Sequence, residues 1–104
     1  MKSPGLIDLI CAEIARERWL QDEKWGEQNH PDGTGGAFFK NLCVMAKKEY
    51  EDAADAERIT WNNILTEEFY EALAESDGEL LREELIQCAA VCVAWIECID
   101  RRES

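Results

Sequence analysis

Between Leu85 and Ile96 the chain has one polar residue, Gln87. A helix through this stretch is apolar all round, so it must be covered on most sides, inside the fold or at a subunit interface. A bilayer is not the cover: the longest apolar run, Cys88 to Ile96, is nine residues, and a membrane span needs about 20. Elsewhere apolar residues recur at spacings of three and four, and no run alternates as a strand does. The expected class is all-α.

The chain divides into four helices. Ser3 and Pro4 read as an N-cap followed by proline at the first helical position. Leu6, Ile10 and Ile14, with Ile7 and Cys11, follow at helical spacing, which places the first helix at 5–23. Residues 26–36 carry four glycines, a proline and turn-forming Asn and Asp, so they form a loop. A loop of that length in a small domain points to function. The second helix is expected over 37–57, with Phe38, Leu42, Met45 and Ala46 on one side. The third runs over 61–75. Ser76-x-x-Glu79 has the form of a capping box and opens a fourth helix over 79–101, whose last turn places Arg101 and Arg102 at the negative end of the dipole. Four helices in 104 residues make one helical domain. Three short helices can hardly cover the apolar fourth, which predicts a homodimer or larger assembly.

Charge narrows the partners. The chain has 23 acidic and 11 basic residues, a net charge of −12. It lacks the basic surface that displaces counterions from a nucleic acid polymer, and an anionic membrane would repel it. A disordered acidic tail is also excluded, because 46% of the residues are hydrophobic and four are Trp. The start shows no leader-like apolar region. The five cysteines form no Cys-x-x-Cys pair, and the single His cannot complete a zinc set. The expectation is free thiols in a reducing, cytoplasmic setting.

Most of the chemistry lies in Thr66-Glu67-Glu68-Phe69-Tyr70-Glu71. With Glu67 at zero on a helical wheel, Glu71 falls near ~40°, Glu75 near ~80° and Glu68 near ~100°. Four carboxylates thus share one arc, opposite Leu65, Phe69, Ala72 and Leu73. A solvated acidic face is the plainer account, although like charges four apart weaken a helix. The fourth helix shifts the balance. Glu84 and Gln87 lie in its opening turns on the side of Cys88, Val91 and Trp95. A carboxylate there loses water and must take a proton, a cationic partner or a metal. Carboxylates from two facing helices would form a hard-oxygen site suited to Mg²⁺ or Mn²⁺. A di-iron site needs two Glu-x-x-His motifs, and Glu27-x-x-His30 in the loop stands alone.

Glu67-Glu68-x-x-Glu71, twelve residues, then Glu84-x-x-Gln87 on an apolar helix resembles the MazG-like branch of the all-α NTP pyrophosphohydrolases. That family's pattern is Glu-Glu-x-x-Glu followed by Glu-x-x-Asp. The resemblance covers roughly residues 61–100. Trp25-x-x-x-x-His30-Pro31 is similar to the Trp/His-Pro stretch of small MazG-like proteins from phages and actinobacteria. The resemblance implies a helical bundle assembled as a dimer or tetramer. It also implies Mg²⁺-dependent hydrolysis of a (deoxy)nucleoside triphosphate to the monophosphate and pyrophosphate. On that basis Glu68, Glu71, Glu84 and Gln87 would hold the metal, and Glu67 would be a further ligand or orient the attacking water.

Gln87 departs from the family's Asp: it offers a carbonyl oxygen without the charge. A catalytically weak or inactive module that binds a nucleotide or a protein is therefore the competing expectation. Glu97-x-x-Asp100 satisfies the family pattern literally, but it lies at the helix end beside Arg101 and Arg102, which are expected ion-pair partners. Trp25, Asn29 and His30 offer a flat apolar face and hydrogen-bonding groups for a base. The competing account makes Trp25 a core cap and Asn29-His30-Pro31 turn chemistry. Trp61 and Trp95 are expected in a core or interface; Lys40, Lys47 and Lys48 could reach phosphate oxygens, and a solvated face is the plainer account of them.

Overall fold

A computed structural model describes residues 5–103, and those residues form four helices with no strand: α1 (Gly5–Trp25), α2 (Ala37–Asp55), α3 (Trp61–Ala74) and α4 (Gly78–Glu103). The all-α expectation holds. The Ser3–Pro4 cap lies outside the described residues. Among the described residues, no helix is long and apolar enough to cross a membrane.

Each helix end has a local cause. Gly26 stops α1 by taking a left-handed φ of 71°, with its N–H on the Asp22 carbonyl at 2.8 Å. α2 stops short of the expected 57. Glu57 adopts a left-handed φ of 56°, its N–H donates to the Ala54 carbonyl, and the Arg58 N–H donates to the Ala53 carbonyl at 2.8 Å. This is the Schellman arrangement, with glutamate where glycine is usual. Thr60 caps α3: its hydroxyl accepts from the Asn63 N–H at 3.2 Å, and the Asn63 side chain accepts from the Thr60 N–H at 3.0 Å. At α4 the cap differs from the expected Ser76-x-x-Glu79 box. The Asp77 carboxylate accepts from the Glu79 N–H at 3.2 Å, so Asp77 and not Ser76 caps a helix that begins at Gly78, one residue before the expected 79.

Contacts divide the chain into two compact units, Gly33–Cys92 and Met1–Asp32 with Val93–Ser104. In the first, α2 packs on α3. Along α2, Leu42, Cys43, Ala46, Tyr50 and Ala53 form a buried or half-buried stripe at helical spacing. Phe38 and Met45, expected inside, are 69% and 59% exposed. They lie about 100° round from the centre of that stripe. Ala46, Ala72 and Leu81 are buried here, and the two alanines allow close helix approach. Leu85 and Ile86 on α4 are each about half exposed, at 53% and 52%. The chain's own helices therefore leave part of the apolar fourth helix uncovered.

In the other unit Ile10 is buried. Ile14 and Ile96 line a groove beside it. Of the expected inner face of α1, Leu6 is half-buried, whereas Ile7, Cys11 and Ile14 are exposed. All five cysteines are free thiols.

Candidate metal centre

Two helices of the Gly33–Cys92 unit build the site. α3 supplies Glu68 and Glu71, and α4 supplies Glu84. One carboxylate oxygen from each lies within 4.8 Å of the others, and all three residues are half-buried. The i,i+3 spacing of Glu68 and Glu71 sets them on one side of α3. The α3–α4 turn returns Glu84 to them. That turn is pinned from outside: the Thr34 hydroxyl donates to the Glu75 carbonyl at 2.6 Å, and the Gly35 N–H donates to the Leu73 carbonyl at 2.8 Å. Gly35 has a φ of 89°, and a Cβ there would meet the Ser76 Cβ at 3.0 Å, so both conformation and space call for glycine. Glu75, which shares the acidic arc on the wheel, is drawn into this turn, where its carboxylate accepts from the Asp77 N–H at 3.0 Å.

The cluster is electrostatically unsatisfied. Oε2 of Glu68 and Oε2 of Glu84 are buried with no hydrogen-bond partner. Among the described residues no Lys or Arg forms an ion pair with Glu68, Glu71 or Glu84. Burial raises the Glu68 pKa, and the Glu71 charge raises it further. Glu84 is raised by burial, then by the charge of Glu71 and a hydrogen bond with it. Glu67, one position before the trio, is raised by burial and by a hydrogen bond with Glu71, and is lowered only by Lys47. Three converging carboxylates, with a buried oxygen of Glu68 and one of Glu84 left without a partner, fit a hard divalent cation, which takes all-oxygen ligands. Without one, the group relieves itself by binding protons.

α2 contributes residues that a reading of the acidic motif misses. Cys43 is half-buried beside the carboxylates. Burial raises its thiol pKa first, then the charges of Glu71 and Glu67. Cys88 on α4 is raised by burial, by Cys92 and by Glu68. Both thiols are therefore held protonated, which suits them to packing and not to nucleophilic attack. Lys47 follows Cys43 by one turn and is the cation whose charge acts on both Cys43 and Glu67. Lys48 is instead occupied by Asp52 at 3.3 Å. The available signal was the i,i+4 step from the buried stripe of α2.

Gln87, expected beside Glu84 as a ligand, is exposed. The alternative Glu97 reaches Arg101 at 4.0 Å, the ion pairing expected for that helix end. Trp25, Asn29 and His30 belong to the other unit, and all three are exposed. Each has a local neighbour: the Lys24 ammonium lies 4.8 Å from the Trp25 ring centre, the Asn29 amide donates to Glu27 at 3.0 Å, and His30 Nε2 pairs with Gln28 at 3.1 Å. These contacts are local to the loop and the end of α1, and Trp25, 62% exposed, does not cap a core.

Compared with known proteins, the chain matches no family model, and no curated protein or solved structure is significantly similar to it.

Proposed function

We propose that this chain is a Mg²⁺-dependent nucleoside triphosphate pyrophosphohydrolase of the MazG-like kind, acting in the cytoplasm as a homo-oligomer. The observation that carries the reading is the Glu68–Glu71–Glu84 trio, with one oxygen from each within 4.8 Å and two buried oxygens left without partners. Those residues would hold Mg²⁺ or Mn²⁺, with Gln87 as a neutral carbonyl ligand. The bound cation supplies charge neutralisation for the phosphate oxygens as negative charge develops on them.

The chain's own part is positional. Glu68, Glu71 and Glu84 set a negative site that repels a bare triphosphate and accepts one that arrives with its cation. Glu67 orients a water and takes its proton. Its raised proton affinity, caused first by burial, brings it closer to the pKa a general base needs near neutral pH. The water oxygen bonds to the α-phosphorus, the bond from that phosphorus to the bridging oxygen breaks, and pyrophosphate leaves. Lys47, whose charge acts on Glu67, would meet a phosphate oxygen.

Purified protein incubated with a panel of dNTPs and NTPs and either cation should release pyrophosphate from at least one substrate. Release from none would remove the hydrolase reading. Gln87 favours a second reading, a nucleotide- or protein-binding module that has lost turnover. Nucleotide binding without pyrophosphate release would establish it.

A further inference from the structure

The proposed chemistry does not account for α1. Every residue from Cys11 to Trp25 is exposed, and an isolated helix of roughly 15 residues is marginal in water. α1 is also apolar on two sides. Ile10 faces inward, while Leu9 and Trp19 on another face are 66% and 73% exposed. On the wheel Leu9, Ala12, Arg16, Trp19, Leu20 and Glu23 share an arc of roughly 100°, turned well away from Ile10. The open surface along this arc is lined by Ala12, Ala15, Arg16, Trp19, Leu20 and Glu23, all on α1. Its lining is two overlapping quartets, Ala12-Ala15-Arg16-Trp19 and Arg16-Trp19-Leu20-Glu23. Each has the i, i+3, i+4, i+7 spacing of a hole that receives a knob from a facing helix.

We infer that α1 pairs antiparallel with α1 of a second copy of this chain, about a twofold axis level with the Glu17–Arg18 peptide. In that register Trp19 of each copy fills the other's Ala12-Ala15-Arg16-Trp19 hole, where two alanines make room. Arg16 of each copy enters the other's second hole, between the Trp19 ring and the Glu23 carboxylate. Every contact occurs twice, as a twofold interface requires.

Three observations select a second copy as the occupant. The knob and the hole lie on the same face. The face carries one positive and one negative residue that the twofold brings together, so it is a place where two chains of net charge −12 can meet without repulsion. Finally, a buried Trp covers about 150–250 Å². Two Trp19 side chains thus supply about a quarter to two-fifths of the roughly 1,200 Å² at the lower end of stable interfaces, and Leu9 and Leu20 extend it. The pairing rests on the homo-oligomeric part of the proposed function and is independent of its chemistry.

The test is the mass of the full chain across a concentration series, by sedimentation equilibrium. The wild type is expected as a dimer or a multiple of it. Arg16→Glu and Glu23→Arg should each weaken association at least tenfold, and the double reversal R16E/E23R should recover most of the loss. Trp19→Ala should weaken it with helix content retained by circular dichroism. A wild type that associates but is indifferent to both single reversals would overturn this seam and leave self-association standing. Single reversals that dissociate the protein without recovery in the double would overturn the register. A monomeric wild type at every concentration would overturn both pairing and self-association, while leaving the hydrolysis reading to its own assay.

Discussion

At the scale of residues, the cluster holds protons tightly, and a metal bound as proposed would compete with them. Glu68 and Glu84 have pKa values raised above the ordinary carboxyl value of 4.5 by burial and by Glu71. The folded state therefore binds protons more readily than the unfolded one. The stability this gives is fully present below 4.5 and is lost as pH rises through the raised values. Glu84→Gln should consequently flatten the fall in metal-free thermal stability between mildly acidic and neutral pH. It should also stabilise the metal-free protein near neutral pH by roughly 0.5–1 kcal/mol, the scale of a half-solvated charge interaction. Melting curves in chelator across that pH range check both. Added Mg²⁺ should restore stability most at the higher pH, where the ligands are deprotonated. Glu71→Gln should abolish that metal response. Glu67→Gln should keep metal binding, read by calorimetry, and lower turnover by about 10²–10⁴-fold, as loss of a general base does. The trio was legible in the sequence because Glu68 and Glu71 share a helix face by spacing alone. The apolar stretch after Glu84 also marks a carboxylate about to lose water. Cys43 and Lys47 were not legible, because their place beside the trio depends on how α2 packs on α3.

At the scale of elements, end chemistry sets the frame. Glu57 occupies a left-handed position that costs an L-residue about 1–2 kcal/mol. Glu57→Gly should therefore stabilise the fold, by about 0.5–1 kcal/mol after the added freedom of the unfolded chain is counted. Thr60→Ala should destabilise it by about 1 kcal/mol through loss of the α3 cap. Urea midpoints at constant m-value separate these effects from a change of mechanism. The four helices were readable from periodicity and from the Gly, Pro and Ser breaks. Two details were not. Nothing in a glutamate announces a left-handed residue, so α2 was expected to continue to 57. Ser76 and Asp77 are both good caps, and the choice of Asp77 follows from the Thr34–Gly35 tie that holds the preceding turn. Inner faces were harder to read than helices. Phe38 and Met45 are as apolar as Leu42, and only the angle of approach of α3 distinguishes them.

At the scale of the whole molecule, the chain is more apolar on its surface than its own helices can use. Leu85, Ile86, Phe69 and Trp19 are each roughly half exposed or more, although the apolar residues Leu85 and Ile86 belong to the stretch that most demanded cover. The proposed pairing of α1 with a second copy covers Trp19 and leaves Leu85, Ile86 and Phe69 outside it, and a net charge of −12 favours a face such as this one, where Arg16 and Glu23 balance, although α1 as a whole has five acidic and three basic residues. The same charge is concentrated where the function is proposed: eight acidic residues and one basic residue lie between Glu67 and Glu84. The central claim is that this concentration holds a divalent cation for attack on the α-phosphorus of a nucleoside triphosphate. Hydrolysis in ¹⁸O-water with Mg²⁺, followed by mass spectrometry of the products, tests it most directly. The account predicts one ¹⁸O in the nucleoside monophosphate, none in the pyrophosphate, and no products from Glu71→Gln. Label in the pyrophosphate, release of orthophosphate, undiminished turnover by Glu71→Gln, or no turnover of any triphosphate would contradict it.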